Sequence, residues 1–219
     1  MAAAADPVLM QILINHINSE FSIEDLGNAL WIQAKPIFID KYWSGQPAPA
    51  GRCCSVRLLW SEQSLYALFE ANQAEPLIVS DKPDIGSKTL GLWDRDVCEI
   101  FIAPDRGEPA RYFEFEAAPT GEWVDLAIDL TTGQRVTNTE YISGMKCAAQ
   151  IGETAVATAI RIDWDALGGR PHPGDIWAGN LFRCVGSGPD RGYLAWSPTM
   201  TERPDFHVPE RFGEFRFVR

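Results

Sequence analysis

Ten acidic residues fall between positions 93 and 129: Asp94, Asp96, Glu99, Asp105, Glu108, Glu114, Glu116, Glu122, Asp125 and Asp129. Only Arg95, Arg106 and Arg111 stand against them in that stretch. Carboxylates gathered this densely have three uses. A solvated acidic face accounts for most such clusters. Calcium is a sharper reading, because it takes clustered carboxylate and carbonyl oxygens. The spacing is not that of an EF-hand loop, and it fixes no ligand set. The third use is glycoside hydrolysis, in which two carboxyls flank one bond, one to protonate and one to attack or to activate water. No nucleophile elbow, HExxH motif, phosphate loop or dinucleotide fingerprint is present. His16, His172 and His207 are far apart in the chain, and His207, in DFHVP, suits fastening a loop.

The eight tryptophans add a second kind of chemistry. Trp123 and Trp164 lie in strand-like runs and read as packing residues. Trp43 and Trp93 lie in loops, and Trp196 stands where a strand ends. A loop tryptophan either locks a turn or offers a flat apolar face. Sugars fit the second use, because their C–H faces are apolar and their hydroxyls need charged partners at the rim. Such sites are largely preformed, with few polar contacts. Arg95, Glu99, Glu114 and Arg203 are the candidates for those contacts.

These side chains need elements to hold them. The chain reads as many short apolar runs joined by Gly- and Pro-rich turns. VLMQILINHI, PIFID, CSVRLLW, LYALFEA, VCEIFIA, RYFEFEAA, EWVDLAIDL, MKCAAQI, TAVATAIRIDW, DIWAGNLFRCV, YLAWSPT and GEFRFV are expected strands. SEQS between two of them predicts a hairpin. SIEDLGNALW, capped by Ser22, predicts a short helix that Gly27 keeps from growing. Alternation along residues 97–102 puts Val97, Glu99 and Phe101 on one face and Cys98, Ile100 and Ile102 on the other. If the second set feeds the core, Glu99 lies on the more exposed face, with Glu114 and Glu116 on a similar surface. Three carboxylates on one concave sheet repel unless sugar hydroxyls, a cation or arginines lie between them.

Composition bounds the rest. At 219 residues, 46% hydrophobic and 22% charged, the chain suits one sizeable soluble core. A formal net charge of −11 argues against a phosphate-backbone partner. Five cysteines without a CxxC pair suggest neither zinc nor a disulfide framework. No uncharged apolar stretch is long enough to span a membrane. MAAAADP lacks the pattern of a secretory signal. The sequence as it stands therefore reads as cytoplasmic, and as extracellular or periplasmic if a leader has been removed.

CSVRLLWSEQSLYALFEA, LWDRDVCEIFIAP, RYFEFEAAPTG, AIRIDWDAL and AWSPTMTERPDFHVPERFGEFRF, taken in that order, resemble the family 9 carbohydrate-binding modules and their bacterial relatives. The resemblance covers most of the chain from about residue 25. It implies a β-sandwich with structural calcium, and a site that holds sugar chain ends between two aromatic rings. The family's first ring corresponds to Trp93 and its strand glutamate to Glu99. The second ring corresponds to Phe206 in place of tryptophan. Glu114 stands where the family places a binding arginine, and Arg203 falls near its asparagine.

The expectations are therefore definite. The fold is all-β, a sandwich of two mainly antiparallel sheets, jelly-roll or immunoglobulin-like, in one domain over residues 1–219. The function is non-catalytic carbohydrate binding at a shallow site of Trp93, Arg95, Glu99, Glu114, Arg203 and Phe206. Its partner is an oligo- or polysaccharide, and calcium is the candidate cofactor. A glycan hydrolase using an acidic pair, and an interaction domain that has lost its sugar, are the alternatives.

Overall fold

The computed structural model describes residues 10–219. The MAAAADP start, and Val8 and Leu9 of the expected first strand, lie outside the described residues. The strands are β1 (Gln11–His16), β2 (Ile37–Ile39), β3 (Cys54–Trp60), β4 (Ser64–Asn72), β5 (Val97–Ala103), β6 (Arg111–Ala117), β7 (Trp123–Asp129), β8 (Val136–Asn138), β9 (Lys146–Ile151), β10 (Ala155–Asp163), β11 (Ile176–Val185), β12 (Gly192–Ala195) and β13 (Gly213–Val218). SEQS joins β3 and β4 as an antiparallel hairpin, with Trp60 opposite Leu65. The expected helix at Ser22 does not form. A 3-10 turn follows at Ala29–Gln33, and Asn28 caps it by accepting from the Leu30 N–H.

The two-sheet sandwich is not what the chain builds. All thirteen strands belong to one continuous sheet, ordered β8-β7-β6-β5-β11-β13-β1-β3-β4-β10-β9, with β12 beside β11 and β2 beside β3. This sheet curls into a half-barrel. The two halves stay joined because the chain's ends meet between them: β1 runs parallel to β13 on one side and to β3 on the other. The remaining pairs are antiparallel. β11 carries the seam. Its Gly179 faces Ile102 of β5 and Gly213 of β13. A Cβ at Gly179 would lie 2.4 Å from the Phe215 ring and 2.7 Å from the Phe101 carbonyl oxygen, so only glycine lets the strands approach there.

Curling gives each strand an inner and an outer face. The inner core brings Ile100, Ile102 and Phe115 of one half against Val56, Phe69 and Ile160 of the other. Cys98 belongs to this core, as the alternation requires. The outer face is not left to water. Over β5 to β7, a second cluster joins Val97, Phe101, Tyr112 and Leu126 to Phe206 and Phe212 from the long segment after β12. That segment roofs the outer face, and the candidate site lies beneath it. Elsewhere on the outside, Trp31 and Ile23 cover Tyr66 and Leu68. No helix among the described residues is long and apolar enough to cross a membrane.

Candidate functional site

Pairing between β5 and β6 sets the chemistry. Glu99 faces Glu116 directly, and Phe101 faces Glu114. Period-two alternation then puts all three glutamates on the outer face. The roof makes that face buried: Glu99 is 2% exposed, Glu114 3% and Glu116 0%. The expectation that Glu99 lies on an exposed face is thus half corrected. The face is right, but the 197–212 segment covers it. One carboxylate oxygen from each glutamate lies within 4.8 Å of the others.

These carboxyls are poorly partnered. Cys184 donates its thiol to Glu99 Oε1 at 3.5 Å. Neither oxygen of Glu116 has a hydrogen-bond partner, nor does Glu114 Oε2. Burial, and then the charge of Glu114, push Glu99 well above the usual carboxylate range. Glu116 is pushed well above it by burial, then by Glu99 and Glu114. Burial also raises Glu114, while Glu116 and Arg135 pull it back down. Unpartnered, buried, all-oxygen donors this close together could coordinate a divalent cation.

The triad lies beside an open cavity of about 500 Å³. Glu99 of β5, Glu114 of β6 and Leu126 of β7 line one wall; Cys184 of β11 and Tyr193 of β12 continue it. Arg135, Thr137 and Thr139 stand on one flank, and Trp93 and Asp94 on another. Pro204, Asp205, Phe206 and His207 come from the roof.

Trp93 belongs to a 3-10 turn, Leu92–Asp94, that starts from Gly91 in the left-handed region at φ 81°. Leu92 is fully buried and anchors the turn, which leaves Trp93 41% exposed at the cavity rim. Arg191 holds the turn's backbone. Its Nη2 donates to the Trp93 carbonyl at 2.7 Å and to the Arg95 carbonyl at 2.6 Å, and its Nη1 to the Asp94 carbonyl at 2.7 Å. The guanidinium also lies over the Tyr193 ring, 5.4 Å from its centroid.

Phe206 presents little of its ring. It stacks on Phe182 at 4.0 Å between centroids and 12° between planes, and only 9% of the residue is exposed. Tyr193 meets it edge-on at 6.1 Å. His207 hangs between two groups. Its Nδ1 lies 2.7 Å from the Tyr112 hydroxyl, and its Nε2 lies 3.9 Å from Glu114 Oε2. Burial, then the charge of Arg135, lower its pKa to about 4, so the ring is neutral near pH 7. With Tyr112 donating, the neutral ring carries its proton on Nε2.

Four of the six residues singled out from the sequence therefore meet at one cavity: Trp93, Glu99, Glu114 and Phe206. The other two do not line it. Arg95 turns to Glu122, with Nη1 2.6 Å from Oε1. Arg203 is exposed, and its carbonyl accepts from the Thr201 hydroxyl. Sequence reasoning missed Arg135 and Tyr193, and it read His207 only as a loop fastener. No local pattern marks Arg135 or Tyr193, because strand pairing brings them to the site.

The raised carboxyls have a consequence for stability. A folded-state pKa above the unfolded one contributes stability below the usual carboxylate range, and that stability is lost as pH rises through the folded value. In a chelating buffer, the unaltered chain is expected to lose melting temperature relative to Glu116→Gln as pH goes from about 4 to about 8. Glu99, Glu114, His207, Arg135 and Arg191 surround the position and are common to both chains. Melting curves across that range decide it; an unaltered chain that holds or gains melting temperature relative to Glu116→Gln as pH rises contradicts the account.

Three comparisons bear on this geometry. A family model described as carbohydrate family 9 binding domain-like matches residues 23–219. A crystal structure from Bacteroides uniformis superposes with a TM-score of 0.75 at 18% identity, over 95% of this chain and 99% of that one. A family 9 carbohydrate-binding module from Caldicellulosiruptor kristjanssonii, in complex with cellotriose, has a TM-score of 0.69 at 14% identity, over 95% of this chain and 94% of its own. The same organism's family 9 module in complex with glucose gives 0.68 at 14% identity, over 96% and 97%. At these identities the structures establish a shared fold. No curated protein matches the chain in sequence.

Proposed function

The chain belongs to the carbohydrate family 9 binding domain-like family, and on that premise we propose that the cavity beside Trp93 binds an oligo- or polysaccharide without cleaving it. One observation carries this reading. An exposed tryptophan ring stands at the rim of a cavity whose wall includes the buried carboxyls of Glu99 and Glu114. The ring suits the apolar face of a sugar, and the carboxyls suit its hydroxyls, with charge-assisted hydrogen bonds fixing orientation. The cellotriose and glucose held by the Caldicellulosiruptor modules name the chemical class to try first.

Binding is favoured over hydrolysis by the placement of the acids. Hydrolysis needs carboxyls on the two sides of one bond. Glu99, Glu114 and Glu116 stand on one sheet face, and the roof's Asp205, the carboxyl across the cavity from them, is engaged by the backbone N–H of His207. Because Phe206 is stacked on Phe182, Tyr193 joins it as a partner ring to Trp93, and Arg135 takes the donor role first given to Arg95 and Arg203. The cation in this reading is calcium, which accepts six to eight oxygens in flexible geometry. Glu99, Glu114 and Glu116 would hold it, and its charge would offset theirs.

A glycan array probed with the purified chain tests the proposal. The expected result is retention of a limited set of oligosaccharides that are recovered uncleaved. A blank array overturns the binding reading in favour of an interaction domain, and shortened products overturn the claim that the site does not cleave.

A further inference from the structure

Resting on that sugar-binding reading, we propose that the glycan bound here carries a protonated amine, and that the ammonium of this amino sugar seats against Glu99 and Glu114 with Glu116 behind them. The cavity wall asks for a donor that also brings positive charge. Glu114 is 3% exposed and lines the cavity with its Oε2 unpartnered. Glu116 is fully buried beside it with both oxygens unpartnered. Buried polar groups are nearly always satisfied, so these atoms, Glu114 at the cavity wall and Glu116 behind it, point to a missing partner. Hydroxyls of a neutral sugar could donate to them, but only a cationic donor would also let carboxyls that burial holds above their usual range ionise. An ammonium supplies three donors and a charge together.

The protein's own cations are committed elsewhere or stand at the rim. Arg95 is paired with Glu122. Arg191 spends its donors on the carbonyls of Trp93, Asp94, Arg95 and Gly186. His207, its pKa lowered to about 4, is neutral at the pH of interest, and its Nε2 stops 3.9 Å short of Glu114. Arg135 lines the cavity from an exposed position just before β8; its charge reaches Glu114, but among the described residues no hydrogen bond or ion pair joins it to the three glutamates. The aromatic side chains argue the same way. Trp93, Tyr193 and Phe206 border the space; Phe206 is stacked on Phe182 and Arg191 lies over one face of Tyr193, so Trp93 offers the open ring, and ring faces attract ammonium groups as well as sugar C–H bonds. A metal ion makes no use of these rings. Calcium would claim the same oxygens, so it and the amine compete.

Titration calorimetry with three β-1,4-linked oligomers of equal length separates the readings: glucose, glucosamine and N-acetylglucosamine. The buffer holds a chelator at low ionic strength and about pH 6, where a primary amine is protonated. The glucosamine oligomer is expected to bind about ten-fold more tightly than the glucose oligomer, or better. Acetylation is expected to remove the gain. In Glu114→Gln the ratio is expected to fall close to one. The comparison on the unaltered chain stands whether or not that variant folds. If the glucose oligomer binds and the glucosamine oligomer binds no better, the amine is refuted and sugar binding stands. If none of the three binds, both readings fall.

Discussion

Replacing Trp93 with alanine is expected to cost about 2 kcal/mol of glycan affinity, roughly 30-fold in Kd. The reasoning runs from exposure. Trp93 is the one large ring at the cavity that is substantially open to water, at 41%. Phe206 is stacked on Phe182 and mostly buried, so it has less face to offer. A site whose second ring is reduced leans harder on its first. The same exposure makes the substitution mild for the fold, since surface changes away from packed features usually stay within about 0.5 kcal/mol. The turn keeps its shape because its anchors lie elsewhere, in buried Leu92 and in the bonds from Arg191 to the backbone carbonyls. Calorimetry on Trp93→Ala, with a thermal melt beside it, is the measurement. An unchanged Kd with an unchanged melting temperature removes Trp93 from the site. Arg191→Ala is a useful companion, because it removes no contact surface but frees the turn.

The strands were legible because alternation is local. Residues 111–117 alternate clearly, and in residues 97–102 the face of Glu99 follows once Cys98, Ile100 and Ile102 are taken as the core side. What alternation leaves open is which edge meets which. The half-barrel depends on β1 lying between β13 and β3, a parallel contact between the two ends of the chain. No short-range signal encodes it, and a sandwich satisfies the same strand pattern. The site was legible to the same extent. Trp93, Glu99, Glu114 and Phe206 came from the pattern and from the resemblance, and they share a cavity. Arg95 looked available because its partner, Glu122, lies 27 residues on, beyond β5 and β6. Glu99 looked solvent-facing because the segment that covers it lies about a hundred residues later. Tyr193 and Arg135 carried no mark at all, since their neighbours are chosen by sheet pairing.

The largest stability effect is expected at Lys88, far from any motif. Its ammonium lies 2.8 Å from Asp125 Oδ1, and the aspartate side chain is fully buried on β7. The lysine is itself mostly covered, at 16% side-chain exposure. Its Nζ also donates to the carbonyls of Thr139 and Tyr141. Asp125 Oδ2 in turn accepts from the Ser143 N–H and hydroxyl, both at 2.6 Å. The pair thus ties the segment after β8 to the sheet and helps set the cavity flank at Thr137 and Thr139. Lys88→Met would leave a buried carboxylate facing no cation. Breaking a buried pair from one side costs about 3 to 5 kcal/mol, a large part of the 5 to 15 kcal/mol that holds a typical domain folded. Urea denaturation is expected to show that loss as a lower midpoint with little change in slope. Adding Asp125→Asn is expected to restore most of it, because the amide oxygen can still accept from Ser143 while the stranded charge is gone. If Lys88→Met alone loses less than about 1 kcal/mol, water reaches the pair and it behaves as a surface bridge. If the double variant recovers nothing, the lysine acts through the carbonyls of Thr139 and Tyr141 and not through the aspartate.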